Sequence, residues 1–218
     1  MLYSVKYWDA ALFVIKEKCA ENFLLKTIIY RTNSAIGRGI RGRENVRVQW
    51  NRNSKLSYTP QFLTLDNTPW FPLMGEIHYS RVSNGRWEEE LYKMKAGGIE
   101  LVSAYTIWIH HEEVEGEWDF SGDRDLRKFL QTIKNCGLHC ILRIGPWAHG
   151  EVRNGGFPDW LMQKEKEGQL VTRTNDPKYL RYVREFYGKI AEQARGLLLS
   201  DDGPVAMIQI CLLYTSPS

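Results

Sequence analysis

From Leu56 onward the apolar positions follow two alternating rhythms. Short apolar runs predict strands over Leu73–Tyr79, Glu100–Trp108, His139–Ile144 and Val205–Ile210. Between them lie stretches with helical spacing. Arg86–Ala96 sets Trp87, Leu91 and Met94 on one face and stops at Gly97-Gly98. Gly122–Cys136 carries Leu126, Phe129, Leu130 and Ile133 at i, i+3, i+4 and i+7, and Asn135 to Gly137 closes it. Pro177–Arg195 is a long predicted helix, with Asp176 as N-cap and Pro177 at the first helical position. Ahead of these, Leu56–Leu65, a turn at Asp66-Asn67-Thr68-Pro69 and Trp70–Leu73 predict a hairpin. Strands and helices alternating at this period predict βαβ units, a parallel sheet and the α/β class.

Residues 1–55 read differently. Residues 8–30 have an amphipathic helical pattern, while 33–53 hold Gly37, Gly39, Gly42 and many Arg with weak periodicity, which predicts poor order. The net charge of +3 is uneven: residues 1–55 hold eleven Lys/Arg against four Asp/Glu, and the remainder eighteen against twenty-two. A basic segment without interleaved aromatics does not read as a single-strand nucleic-acid binder, so a solvated face is expected and no nucleic-acid partner. The apolar stretch Ala10 to Ile15 is too short for a signal peptide, and no run approaches the roughly twenty apolar residues of a membrane span. Apolar residues make up 43% and charged residues 25%, the balance of a globular protein. The four cysteines, at 19, 136, 140 and 211, complete no zinc set, and Cys140 reads as a buried thiol.

In parallel α/β sheets, ligands bind at the C-terminal ends of the strands. Polar tracts stand at those ends here. After the second predicted strand comes Trp108-Ile109-His110-His111-Glu112-Glu113, and after the third Arg143-Ile144-Gly145-Pro146-Trp147-Ala148-His149-Gly150-Glu151. Glu151 sits among small residues that let a ligand approach the backbone. Its carboxylate either accepts hydrogen bonds from sugar hydroxyls or pairs with Arg81 or Arg143. His110 to Glu113 does not suit a metal: neighbours leaving a strand diverge, and the helical metalloprotease spacing is absent. His78 and Arg81 end the first strand, either orienting groups at the sheet's mouth or, for His78, sitting as a satisfied core histidine. No phosphate loop and no serine nucleophile elbow are present. The eight Trp and eleven Tyr exceed the needs of a core this size and suit sugar rings, although any single Trp more often packs a core.

Several motifs then appear in order over about 150 residues. Gly75-Glu76-Ile77-His78-Tyr79-Ser80-Arg81 resembles the first-strand motif of family 35 glycoside hydrolases, the β-galactosidases. Lys95-Ala96-Gly97-Gly98-Ile99 and Tyr105-Thr106-Ile107-Trp108-Ile109-His110-His111-Glu112 resemble its next segments. Gly116-Glu117-Trp118-Asp119-Phe120 and Asp125-Leu126 follow in register. The strongest block is Leu142-Arg143-Ile144-Gly145-Pro146-Trp147, then Glu151, then Gly155-Gly156-Phe157-Pro158-Asp159-Trp160-Leu161. Gly203-Pro204-Val205-Ala206-Met207-Ile208-Gln209-Ile210 is similar to the strand leading to the family's acid/base.

The resemblance implies a retaining exo-glycosidase acting on terminal β-galactosides, on a (β/α)8 barrel. It implies that this chain holds the N-terminal half, about four strands. Tyr105 and Glu151 match positions that hold the terminal galactose, and His149 and Gly150 match neighbouring pocket positions. No metal, cofactor or membrane is expected. The partners implied are an oligosaccharide substrate and the C-terminal part of the same barrel. For an intact member the setting implied is periplasmic or extracellular. Ile109, Glu113 and Trp147 replace the usual Asn, Pro and Tyr, which admits another β-linked terminal sugar, such as a glucosaminide. The family continues Glu-Asn-Glu-Tyr-Gly after the last strand. Here residues 211–218 differ: Leu212 stands at the sugar-binding Asn position and Leu213 at the acid/base, and the nucleophile has no counterpart. The expected layout is an atypical basic segment at 1–55, a partial barrel at 56–210 and a non-native tail at 211–218. The expected behaviour is a fragment inactive alone; a non-catalytic carbohydrate-binding barrel is the alternative.

Overall fold

The computed structural model of the chain describes residues 56–58, 61–148 and 151–210. Expectations for 1–55, His149, Gly150 and 211–218 lie outside the described residues. The chain divides between Phe71 and Pro72 into two compact units.

The first unit contains three antiparallel strands, β1 (Leu56–Tyr58), β2 (Leu63–Leu65) and β3 (Thr68–Trp70), in that order. The run expected as one strand, Leu56–Leu65, doubles back on itself, pairing Leu56 with Leu65. Between β2 and β3 the turn needs only Asp66 and Asn67, at φ of 50° and 63°. Two short polar residues with positive φ form the tight turn whose twist matches antiparallel strands. Pairing therefore resumes at once, Leu65 against Thr68. Pro69 lies on β3, an edge of this sheet, where a missing N–H costs no ladder bond.

The second unit is a four-stranded parallel sheet: β4 (Met74–Glu76), β5 (Leu101–Tyr105), β6 (His139–Gly145) and β7 (Val205–Ile210), in chain order. Helices α1 (Trp87–Ala96) and α3 (Leu126–Asn135) make the first two crossovers. α4 (Asp159–Lys166) and α5 (Pro177–Ala194) lie in the third. Asp176 caps its helix as its residue type predicts, and Asp125 caps the helix predicted to begin at Gly122. Asp125 accepts from Lys128 N at 2.8 Å, and Asp176 from Lys178 N at 2.8 Å. α1 carries Glu88, Glu89 and Glu90 in its first turn and Lys93 and Lys95 in its last, matching the helix dipole.

The core follows from strand alternation. Val102, Ala104, Cys140, Leu142 and Ile144 pack under the helices, against Leu91, Phe129, Leu130, Ile133, Phe186 and Ile190. Two predicted strands end early. Tyr79–Arg81 is a 3-10 turn rather than the end of β4. Trp108–His111 is a single helical turn, α2, rather than an extension of β5. The turn lets Trp108 tuck under the sheet's end, stacked on Phe186 with centroids 4.7 Å apart, while its indole N–H donates to Glu112 Oε2 at 2.6 Å. The same turn buries His111. Its Nδ1–H donates to the Asp119 carbonyl at 2.9 Å, which leaves Nε2 to accept from the Tyr79 hydroxyl at 2.6 Å.

Two measurements test this packing. A Cβ on Gly203 would stand 2.0 Å from the Leu197 carbonyl carbon, so the turn entering β7 admits only glycine. Gly203→Ala is expected to cost at least about 3 kcal/mol in urea denaturation, the upper end of overpacking costs; a loss below about 1 kcal/mol would contradict this geometry. Burial pushes the His111 imidazole down from 6.5 to about 4. Between those values the unfolded chain takes up a proton that the folded one refuses, so stability falls as pH falls through this window, by about 3 kcal/mol. His111→Gln should be less stable than the native chain near neutrality, and the gap should shrink as pH approaches about 4.5. A gap independent of pH would refute the neutral, buried ring.

Candidate functional site

Parallel pairing brings a row of polar residues to the C-terminal end of the sheet. The register aligns Glu76 with Ser103, and Tyr105 with Arg143, which in turn pairs with Gln209. Their side chains leave the face opposite the helices, because their neighbours Ala104 and Leu142 fill the core.

Arg143 binds this row together. Its Nε donates to Gln209 Oε1 at 2.9 Å, and its Nη1 donates to Glu76 Oε2 and to Ser103 Oγ. Ser103 Oγ also donates to Glu76 Oε2, at 3.2 Å. The guanidinium carbon lies 4.1 Å from the centre of the Tyr105 ring, a cation–π contact. His78 meets the same ring edge-on, with centroids 5.2 Å apart at 86°. Tyr105 is 5% exposed. Burial raises its pKa, outweighing the opposing pull of Arg143, and the Glu76 and Glu151 charges raise it further. The phenol therefore stays neutral, able to donate and accept.

A second chain of contacts reaches Glu151. Arg81 Nη2 donates to the Glu151 carbonyl oxygen at 3.1 Å, and Arg81 Nη1 donates to His78 Nδ1 at 3.1 Å. With Nδ1 accepting, the His78 proton sits on Nε2 and is donated to Glu76 Oε1 at 3.1 Å. Glu151 is exposed, with φ of 46°. Its loop is closed by Ala148 N donating to the Gly155 carbonyl at 2.8 Å. Among the described residues, neither the Glu151 carboxylate nor the Tyr105 hydroxyl has a hydrogen-bond partner.

The structure thus brings Tyr105 and Glu151 into one electrostatic neighbourhood. Of the alternatives open for Glu151, pairing with arginine is not what the chain adopts. Arg81 meets its backbone oxygen, and Arg143 goes to Glu76. His149, Gly150, Leu212 and Leu213 lie outside the described residues. His78 belongs to the mouth of the sheet rather than to the core. Glu76, Ser103 and Gln209 were not singled out by the sequence, although each ends a predicted strand or lies on one. The tract from His110 to Glu113 diverges, but because it forms a helical turn and a loop, not because a strand alternates. His110 Nδ1 meets Ser80 Oγ at 2.8 Å, and the Glu113 carboxylate takes Arg124 at 2.8 Å. Glu112, buried without a cation, accepts from Trp108 and from Gly116 N at 2.8 Å. Among the described residues no cluster of His, Cys, Asp and Glu could hold a metal ion.

Comparison with known proteins bears on this arrangement. The β-galactosidase of Mus musculus is 36% identical over 159 residues, covering 73% of this chain and 24% of the mouse protein. That of Homo sapiens is 35% identical over 159 residues, covering 73% of this chain and 23% of its own length. The β-galactosidase of Xanthomonas manihotis is 34% identical over 145 residues, with 66% and 24% covered. The chain spans about a quarter of the length of these relatives. Among solved structures, the β-galactosidase of the psychrophilic Marinomonas ef1 aligns with a TM-score of 0.48 at 19% identity, over 66% of this chain and 22% of that one. The family model described as "Glycosyl hydrolases family 35" matches residues 62–217, so the chain belongs to that family of glycosidases.

Proposed function

We propose that the four parallel strands are the first half of a (β/α)8 barrel, and that the polar row at their ends is one side of a pocket for a terminal β-galactoside. The observation that carries this reading is a pair of groups without hydrogen-bond partners among the described residues, the Tyr105 hydroxyl at the end of β5 and the Glu151 carboxylate on the loop after β6, near enough for the Glu151 charge to act on the phenol. A neutral phenol and a carboxylate suit the vicinal hydroxyls of a sugar, which both donate and accept. The membership in family 35 and the names of the relatives support a β-galactoside as the sugar; exo-acting, retaining hydrolysis is what the resemblance of the motifs implies. His149 and Gly150 are assigned to the same pocket by their place in the family's motif.

Retaining hydrolysis needs two carboxyl groups about 5–5.5 Å apart, one to attack the anomeric carbon and one to protonate the leaving oxygen. In this chain Leu213 stands at the proton donor's position in the motif. An alkyl side chain supplies no proton, and general acid help is worth roughly 10²–10⁴-fold by itself. A chain with Leu213 there reads as a fragment of a β-galactosidase that is inactive by itself while able to hold the sugar.

Titration with galactose, followed by NMR shifts or calorimetry, checks both halves. Saturable binding is expected. Glu151→Gln should weaken it about tenfold or more, as expected for losing a charged acceptor, and Tyr105→Phe by a smaller factor. A nitrophenyl β-galactoside should be bound but not turned over. Turnover that scales with protein and vanishes in Glu151→Gln would overturn the claim of inactivity. Binding unaffected by either substitution would overturn the pocket.

A further inference from the structure

The geometry points to His78 and Arg81 as a positioning pair that sets Tyr105 and Glu151 in register with each other, so that the pocket's affinity depends on two residues that need not touch the sugar. This deepens the reading of the site as a sugar pocket and rests on it. Tyr105 lies on β5, whereas Glu151 lies on a loop beyond β6, six residues past Gly145 at the strand's end. Among the described residues no hydrogen bond joins the two.

His78 and Arg81 close that gap. His78 stands edge-on to the Tyr105 ring, and its Nε2–H is tied to Glu76, the carboxylate that also anchors Arg143 over the ring face. Tyr105 thus meets a guanidinium over its face and an imidazole perpendicular to its ring, both fixed by Glu76. Arg81 divides its fork: one arm donates to His78 Nδ1 and the other to the Glu151 carbonyl. The second contact is with backbone, so it fixes where the Glu151 chain runs and leaves the carboxylate available. It also meets a residue held at φ of 46°, a conformation a glutamate rarely adopts without outside support. Lysine could not do both, since it presents one compact ammonium instead of a planar fork. Arg81 is itself exposed and lies outside the buried core, so its removal should be felt at Glu151 rather than in folding.

The test compares galactose affinity in the native chain, Arg81→Lys, His78→Ala, His78→Asn and the double variant Arg81→Lys/His78→Ala. Arg81→Lys and His78→Ala should each weaken binding about five- to tenfold, with the thermal midpoint of Arg81→Lys unchanged. His78→Asn should recover much of the His78→Ala loss, because its amide oxygen can accept where Nδ1 does. The double variant should be scarcely worse than either single one, the signature of residues acting as a unit. If the native chain binds galactose and Arg81→Lys binds as well, the positioning role fails while the pocket stands. It fails likewise if the two losses add fully, as for independent sites. If the native chain binds no galactose, the reading of the pocket fails, and this proposal with it.

Discussion

Every second residue of β5 and β6 must go under the helices, and that obligation fixes what the others can do. Val102, Ala104, Cys140, Leu142 and Ile144 are all buried in the core. With a side-chain period of two, Ser103, Tyr105 and Arg143 have only the opposite face left. A slip of one residue would place Arg143 among Phe129, Leu130 and Ile133, where an unpaired guanidinium costs several kcal/mol. The apolar packing on one side thus sets the register of the polar row on the other. Tyr105 and Arg143 are level because the core leaves no other solution.

Once aligned, the row is governed by electrostatics. The Arg143 side chain is 15% exposed, and burying a cation to that degree requires compensation. It receives Glu76 as counter-charge, Gln209 and Ser103 as acceptors, and the face of Tyr105. A contact of that last kind is worth about 1 kcal/mol, but here its direction matters more than its size. It holds the phenol ring flat beneath the guanidinium, so the hydroxyl has little freedom to wander. Rigidity of this kind lowers the entropy lost when a ligand is engaged.

Most of this fold was readable from periodicity and punctuation. The four parallel strands, the helix N-cap Asp176 and the turn beginning at Asp66-Asn67 all follow from local rules; the cap at Asp125 does not, since the helical spacing alone starts that helix at Gly122. Three other things did not. Trp108 looked like the last residue of a strand because an aromatic next to apolar residues suits either rhythm over so short a span. α4, Asp-Trp-Leu-Met-Gln-Lys-Glu-Lys, fully buries only Leu161, so no stripe announced it. The polar row escaped because periodicity tells which face a residue takes but not which neighbour it meets. Register between β6 and β7 even shifts between Arg143 and Gly145, which no count along one strand would reveal. Tyr105 was named by motif resemblance and Glu151 also by its place after the third strand; the neighbours Glu76, Ser103 and Gln209 needed the sheet.

The loop that carries Glu151 shows how the remaining strain is borne. Glu151 and Asn154 take positive φ, at 46° and 56°, in a stretch that also includes Gly155 at 60° and Gly156 at 92°. For a residue with a Cβ, that region costs roughly 1–2 kcal/mol. The cost is met by what the loop packs against. A Cβ on Gly155 would fall 2.5 Å from the Trp147 ring, so the indole lies directly on bare backbone there. Trp147 in turn packs edge-on to the buried Phe157, and the Arg173 guanidinium sits 4.7 Å from its ring centre. Packing on the helix side of the loop thus holds the chain in a shape it would not adopt alone. On the other side the same shape turns the Glu151 carbonyl toward Arg81 and leaves the carboxylate without a partner among the described residues. A loop relaxed to ordinary backbone angles would lose that division of labour, since the carbonyl and side chain would rotate together. The strain is therefore part of how the site keeps a charged acceptor free, and the aromatic core beneath it is what makes the strain tolerable.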